Sequence, residues 1–404
     1  MARVVQKFGG TSVASLESIK SVALKVKSEI DKGNEVAVVL SAMAGETNRL
    51  ANLVTSVTST YDPREYDSIV SSGEQVSIGL LAITLQEIGV TARSWLGWQI
   101  PIRTDGAFQK ARIQRIDCAD LLEDLEKGVV PVVAGFQGMG PNNRISTLGR
   151  GGSDTSAVAL AIALKAKQCD IYTDVDGIYT SDPRIVAKAR QLKQVTYEEM
   201  LEMASLGAKV LHTRAVELAM KHRQRLRVLS AFSDKPGTLV VDEGEIMEQE
   251  LVSGIAYSRD EAKITLVRVL DEPGIAALIF GPLAAANVNV DMIVQNASAG
   301  GGATDMTFTV PQEDLGRAIE VLEESRAKTR YENLLSDNEV VKVSVIGVGM
   351  RSHAGVATRM FEALAEKGIN IQVISTSEIK VSVLIAEVYT ELAVRTLHSK
   401  YGLD

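Results

Sequence analysis

A lysine and an arginine, each set at a glycine-rich turn between an apolar strand pattern and a helical one, are the residues of this 404-residue chain best suited to chemistry. Lys7 stands in Arg3-Val4-Val5-Gln6-Lys7-Phe8-Gly9-Gly10-Thr11-Ser12, and Arg150 stands in Gly149-Arg150-Gly151-Gly152-Ser153-Asp154-Thr155. Glycine lets a backbone approach anionic oxygens closely, and a helix start points unpaired N–H groups at them. A compact ammonium at Lys7 suits a phosphate whose charge moves during transfer. The planar fork of Arg150 can hold a carboxylate through two parallel hydrogen bonds. Two such loops in one chain point to phosphoryl transfer rather than passive nucleotide binding. No G-x-x-x-x-G-K-[ST] stretch occurs, so any phosphate is held by something other than a P-loop.

Two carboxylates join this set. Asp174, in Tyr172-Thr173-Asp174-Val175-Asp176-Gly177-Ile178-Tyr179, follows an apolar run at the end where open α/β sheets place ligands. The Asp-Gly step here and the Asp182-Pro183-Arg184 turn beyond it are equally ordinary turn chemistry. Glu74, in Ser71-Ser72-Gly73-Glu74, opens a helix, where an acid either complements the dipole or serves a ligand. Other constellations fail. His212, His222, His353 and His398 lack metal-ligand spacing, so no protein metal site is expected. Gly347-x-Gly349 has Ser352 where a dinucleotide fingerprint needs its third glycine. Met200 and Met203 have helical spacing and read as core.

The frame that positions these residues is legible as alternation. Strands are expected at Val4–Phe8, Glu35–Leu40, Val129–Phe136, Ile171–Val175, Arg225–Leu229 and Thr238–Val241, with helical spacing between them, as in Leu16–Ile30 and Gln75–Ile88. Strand–helix alternation implies a mainly parallel sheet with helices on both faces. The small residues Ala157, Ala159, Ala161 and Ala163 after the Arg150 loop permit close packing beneath it. Thr196-x-x-Glu199 is a capping box that starts a late helix, and Asp242-Glu243-Gly244-Glu245 reads as the exit linker.

Beyond the linker the chain repeats itself. Lys263-Ile264-Thr265-Leu266 leads to Pro273-Gly274-Ile275-Ala276, then Phe280, Leu283, Asn289 and Ile293. Lys342-Val343-Ser344-Val345 leads in the same way to Ala354-Gly355-Val356-Ala357, then Phe361, Leu364, Asn370 and Ile374. From glycine to glycine the offset is 81 residues (355 minus 274), and an alternating strand, Thr304–Val310 or Ile379–Ile385, closes each unit. These are two βαββαβ modules, each with a small core that needs a neighbour.

Bulk properties narrow the setting. The length calls for two or three domains. A formal net charge of −8 argues against nucleic-acid or anionic-membrane partners. No run of 18 apolar residues marks a transmembrane helix and no leader pattern opens the chain. Cys118 and Cys169 are far apart and read as reduced thiols of a cytoplasmic protein.

In order and spacing, Lys7–Ser12, Ser41-Ala42-Met43-Ala44-Gly45-Glu46-Thr47-Asn48, Ser72-Gly73-Glu74, Gly149–Thr155, Thr173–Gly177 and Asp182-Pro183-Arg184 resemble the aspartate kinase family, over essentially the whole chain. The two repeats resemble ACT regulatory domains. The resemblance implies an α/β fold: a three-layer αβα amino-acid kinase domain over 1–245, then ferredoxin-like ACT units over 246–336 and 337–404. It implies ATP- and Mg2+-dependent phosphorylation of the L-aspartate side-chain carboxylate, the entry to lysine, threonine, methionine and isoleucine synthesis. By resemblance, Lys7 steadies the transferring phosphoryl group and Asp154 organises the catalytic loops. Arg150 and Glu74 grip the substrate's α-carboxylate and α-amino group, with Thr47, Phe136, Gly151, Gly152 and Ser153. Lys7, Phe8, Gly9, Gly10, Ser41, Thr173, Asp174, Tyr179, Asp182, Arg184, Lys209 and Val210 line the nucleotide site. Lysine, threonine or both act as effectors. One effector pocket uses Asp271, Gly274, Ile275, Ala276, Asn289, Val290, Asp291 and Gln295, and the second repeat contributes Ala357, Asn370, Ile371, Ser377 and Glu378. Pairing of ACT sheets implies a homo-oligomer, and Met247 in the linker offers an internal start for a shorter regulatory subunit. The alternatives are another amino-acid kinase that makes a different acyl phosphate, and a non-catalytic amino-acid sensor.

Overall fold

The computed structural model describes residues 2–205, 210–246, 251–295, 302–353 and 355–404. The chain divides into two compact units, one comprising Met1–Ile178 and Gln191–Glu248, the other Tyr179–Arg190 and Gln249–Asp404.

The first unit is built on an eight-stranded sheet in the order Gln194–Thr196, Thr238–Val241, Leu226–Ser230, Gln168–Thr173, Arg3–Phe8, Glu35–Leu40, Val130–Ala134, Ala92–Trp95. Every neighbouring pair is parallel except Leu226–Ser230 with Thr238–Val241. The central strands Glu35–Leu40 and Val130–Ala134 bury apolar residues on both faces, as a covered parallel sheet requires. On one face Val36, Val38 and Leu40 pack with Ile19, Val22 and Val26 of the helix Leu16–Asp31 and with Ile78, Leu81 and Leu85 of the helix Ser72–Glu87. The alternate residues Ala37 and Val39 are equally buried, and the helix Gly152–Ala163 packs across the same strands. Its residues Gly152 through Ala161 are all buried, which its small residues, mostly alanine and serine, make possible.

Two strand boundaries differ from the apolar pattern for identifiable reasons. The strand expected at Ile171–Val175 runs from Gln168 to Thr173. Its polar start is hidden from the pattern because the buried Asp170 accepts two hydrogen bonds, 3.0 and 2.6 Å, from Arg227 on the adjacent strand. The strand expected to reach Phe136 stops at Ala134, and Phe136 itself has φ 69°. A small sheet of Ile113–Ile116, Ile102–Thr104, Gln137–Met139 and Ile145–Thr147 has strands too short to show a period. The capping box forms as read: Glu199 N–H donates to Thr196 Oγ1 (3.2 Å) and Thr196 N–H to Glu199 Oε2 (3.0 Å). Met200 and Met203 are buried behind it. The stretch Pro63–Glu87 has the length and hydropathy of a membrane span, but it is two helices, Pro63–Val70 and Ser72–Glu87, half buried in this unit.

The second unit holds the repeats. The first forms an antiparallel sheet in the order Asp291–Gln295, Ala303–Val310, Ala262–Leu270, Asn333–Asp337, backed by the helices Ile275–Ala285 and Leu315–Thr329. The second has the same layout, Val373–Thr376, Lys380–Ala386, Val340–Ile346, with the helices Val356–Ala365 and Thr390–Lys400. Its fourth place is taken by Gly254–Ser258, which pairs antiparallel with Val340–Ile346 although it precedes the first repeat in sequence. An open edge beside Val340–Ile346 would expose a row of unpaired N–H and C=O groups, and this strand covers it.

Candidate active site

The parallel register brings the ends of the central strands side by side. Phe8 pairs with Leu40 and with Tyr172, and Leu40 pairs with Ala134. The residues that follow therefore leave the sheet along one edge, each tied to its neighbour: Gly9 N–H to Tyr172 O (3.2 Å), Ser41 N–H to Phe8 O (3.2 Å), Gly135 N–H to Leu40 O (2.9 Å). This is the carboxyl edge of a parallel sheet, where the loops diverge and leave a crevice.

The crevice holds a cavity of about 360 Å³ lined by Lys7, Gly10, Ser41, Thr47, Glu74, Phe136, Arg150, Gly151, Gly152, Ser153 and Asp154, together with Ala42, Met43, Ala44, Gly45, Asn48 and Gly149. Lys7 Nζ lies 2.6 Å from Asp154 Oδ1, and both residues are buried. Glu74 is 2 % exposed, and burial pushes its carboxyl up to about 8. One of its oxygens accepts the Ala42 N–H (3.1 Å), and the other has no hydrogen-bond partner among the described residues. A buried carboxyl with one unfilled oxygen at a cavity wall is a seat for a cationic group.

The glycines serve close approach. A Cβ on Gly10 would stand 2.9 Å from Ala42 O, and one on Gly151 would stand 2.2 Å from the His212 ring. Gly151 also has φ 70° and opens the helix Gly152–Ala163 with no side-chain cap, leaving its start available to an anion. Gly151→Ala is expected to destabilise the first unit by about 1–3 kcal/mol, read from denaturant unfolding. Unaltered stability would show that His212 gives way freely.

Several supports carried no sequence motif. Arg214 donates to Leu148 O (2.6 Å) and Ala111 O (2.9 Å). The buried Asp67 accepts from Thr147 N–H (2.8 Å), Thr147 Oγ1 (2.7 Å) and Gln109 N–H (2.9 Å), and burial raises its carboxyl. Both brace the approach to Arg150. His212, weighed by spacing only as a metal ligand, lies instead against Gly151, and burial lowers its pKa, opposed by Asp154 and assisted by Arg214 and Arg150.

The remaining nucleotide candidates are placed differently. Phe8 is fully buried, stacked on Tyr172 with ring centroids 4.5 Å apart, so it supports the turn from below. Thr173 and Asp174 stand at the end of the neighbouring strand, Thr173 Oγ1 donating to Asp174 (3.1 Å). Val210 lies in the turn ahead of His212, and Lys209 is outside the described residues. Tyr179, Asp182 and Arg184 belong to the second unit's segment Tyr179–Arg190. There Asp182 accepts from the Arg184 backbone (2.9 Å) and guanidinium and from Tyr257 Oη (3.1 Å), and Arg184 first among these holds its carboxyl below the ordinary range. No cluster of three or more His, Cys, Asp or Glu side chains suited to a metal occurs among the described residues.

In the repeats, Gly274 (φ 95°) and Gly355 (φ 96°) cap the equivalent helices Ile275–Ala285 and Val356–Ala365. Ile275 is buried, Val290, Ala357 and Ile371 are half-buried, and Asp271, Ala276, Asn289, Gln295, Asn370, Ser377 and Glu378 are exposed. Asp291 accepts a hydrogen bond from Lys342 Nζ at 2.8 Å. Burial works to raise the Asp291 carboxyl, but the Lys342 ammonium outweighs it and holds it below its ordinary value. Met247 is outside the described residues.

Comparison with known proteins bears on the family and the fold. The amino acid kinase family matches residues 2–230, and the ACT domain family matches residues 264–325 and 343–401. The aspartate kinase Ask_LysC of Stutzerimonas stutzeri is 58% identical over 405 residues, spanning 100% of this chain and 98% of that protein. Among solved structures, E. coli aspartokinase III in complex with aspartate and ADP (R-state) superposes with a TM-score of 0.83 at 29% identity, over 98% of this chain and 99% of that one. The same enzyme in complex with lysine and aspartate (T-state) gives 0.79 at 29% identity, over 99% of each chain.

Proposed function

Because the chain belongs to the amino acid kinase family, and within it to the aspartate kinases with ACT domains, we propose that it transfers the γ-phosphoryl group of ATP to the side-chain carboxylate of L-aspartate. The observation that carries this reading is the single cavity that unites the Lys7–Asp154 pair, Arg150 and the unfilled oxygen of Glu74.

The chemistry needs little from acid–base groups. An aspartate side chain has a pKa of about 3.9, so the nucleophile is already ionised near neutrality. What the site must supply is neutralisation of two approaching anions and alignment of the reacting oxygen. Lys7 answers the first need, and Asp154 fixes its ammonium against the turn. Arg150 takes the α-carboxylate and Glu74 the α-ammonium, with Thr47, Phe136 and Ser153 closing around the substrate. The backbone of Gly9 and Gly10, with Ser41, receives the phosphates, where a Cβ on Gly10 would strike Ala42 O. Thr173, Asp174, Tyr179, Asp182, Arg184, Lys209 and Val210 are the candidates for the rest of the nucleotide. Mg2+ supplies further charge neutralisation when bound. It would act beside the phosphates that Gly9, Gly10 and Ser41 receive.

The ACT repeats support feedback control by lysine, threonine or both. E. coli aspartokinase III, solved with lysine, makes lysine the first effector to test. Exposed apolar side chains on the first repeat, Leu278, Ile293 and Leu335, favour a homo-oligomer, with a shorter subunit from Met247 as a further assembly partner. We place the enzyme in the cytoplasm on its two free cysteines.

The deciding experiment traps the acyl phosphate as hydroxamate in the presence of ATP, Mg2+ and L-aspartate, with and without lysine, threonine and both. Aspartate-dependent product that falls with an end product is expected. Product from glutamate and none from aspartate would overturn the reading.

A further inference from the structure

The segment Tyr179–Arg190 leaves the first unit after Ile178 and returns to it at Gln191, yet its own packing lies in the second repeat. Thr180 N–H donates to Arg190 O (2.9 Å), and Arg190 N–H donates back to Thr180 Oγ1 (3.0 Å), closing the segment at its base. Ile255 N–H donates to Thr180 O (2.8 Å), which adds the segment to the second repeat's edge strand. Val186 is buried in the same core as Leu397 and Leu403. Arg395 Nε donates to Ile185 O (2.8 Å), Arg190 Nε to Leu403 O (3.2 Å), and Lys188 pairs with Asp404 at 3.3 Å.

At the centre is His398, with no exposed surface. Its Nδ1 is 3.0 Å from Asp404 Oδ1 and its Nε2 is 2.9 Å from Thr180 Oγ1. A carboxylate only accepts, so Nδ1 donates to Asp404, and Nε2 shares a hydrogen bond with the Thr180 hydroxyl. The hydroxyl thus accepts from Arg190 N–H and bonds His398, a continuous chain from the segment through the helix Thr390–Lys400 to Asp404.

We propose that Thr180, His398 and Asp404 are a positioning clamp through which the second repeat holds Tyr179–Arg190 and so sets nucleotide affinity and its response to end products. The inference rests on the kinase reading, because Tyr179, Asp182 and Arg184, candidate nucleotide contacts, lie on this clamped segment. Thr180, His398 and Asp404 are not themselves among the candidate substrate or nucleotide residues. A ligand that favours another arrangement of the second repeat must act on bonds that the segment shares, which gives two ligands one structural element to bias.

The test compares Thr180→Val, which keeps shape and loses the hydroxyl, with Thr180→Ser, which keeps the hydroxyl, in the full-length enzyme. Thr180→Val is expected to raise the KM for ATP about three- to tenfold, leave the KM for aspartate unchanged, and shift the inhibition curve of the active end product to higher concentration. Thr180→Ser should behave as wild type. Asp404→Asn, a substitution at the surface, should shift the KM for ATP in the same direction by less. A wild-type KM for ATP and inhibition curve in folded Thr180→Val, or equal behaviour of the valine and serine variants, overturns the clamp. Wild-type protein that makes no acyl phosphate from aspartate overturns the kinase reading instead, so the two failures are distinct.

Discussion

Lys7→Ala is expected to lower kcat by about 100- to 1,000-fold while the KM for ATP moves by less than about threefold. The ammonium is 2.6 Å from Asp154 in a site from which both groups are largely shielded. In such surroundings a fixed positive charge acts far more strongly on a migrating phosphoryl group than it would in water. On the proposed reading the nucleotide keeps a backbone cradle at Gly9 and Gly10, so ground-state binding is the lesser loss. Lys7→Arg should not rescue, because a planar, delocalised guanidinium does not reproduce the compact ammonium that stands 2.6 Å from Asp154. Removing the lysine leaves Asp154 buried and unpaired, so the variant must be shown folded by circular dichroism before its kinetics are read. Steady-state rates within threefold of wild type would remove Lys7 from the mechanism.

Glu74→Gln should raise the KM for aspartate by roughly 30- to 1,000-fold, the loss expected when one partner of a buried charge pair is removed. It should also stabilise the enzyme without substrate at alkaline pH. The carboxyl is raised from its ordinary value to about 8 because burial penalises its charge. The folded state therefore keeps a proton that the unfolded state releases. That contribution is complete below the unfolded pKa of about 4.5, and is lost as pH rises through about 8. Glutamine has no such loss, so the variant should melt above wild type at pH 9 by several degrees and by less at pH 5, with about 2–4 °C for each kcal/mol in a unit of this size. The same shift predicts that wild-type KM for aspartate falls as pH rises from 6 towards 8, since the substrate's ammonium seats on the ionised carboxylate. Equal melting of the two proteins at pH 9, or a KM for aspartate independent of pH over this range, would count against Glu74 as the ammonium seat.

How much was legible in advance depended on the range of the interaction. Local patterns carried well where the chain obeys a single period: Glu35–Leu40 is apolar and covered on both faces, and the capping box at Thr196 and Glu199 closes on itself within one turn. They misplaced the start of Gln168–Thr173, because Asp170 is satisfied by Arg227, which lies 57 residues away. Glu74 shows the same limit at the site. Its sequence neighbours allowed a dipole role and a ligand role equally, and only the cover of distant residues buries it and leaves one oxygen without a partner among the described residues. His212 had no motif to mark it, because its meaning is its position against Gly151.

By itself, then, the sequence determined the parallel sheet, the two glycine turns with Lys7 and Arg150, and the duplicated modules, since strand period and turn chemistry are properties of neighbouring residues and an 81-residue offset (355 minus 274) is a local pattern written twice. Only the tertiary structure decided that Lys7 and Asp154 pair, that Glu74 holds its proton to about pH 8, and that Gly254–Ser258 completes the second module's sheet across the first. The physical reason is that burial and long-range pairing depend on which distant segments exclude water from a group, and no local spacing encodes that.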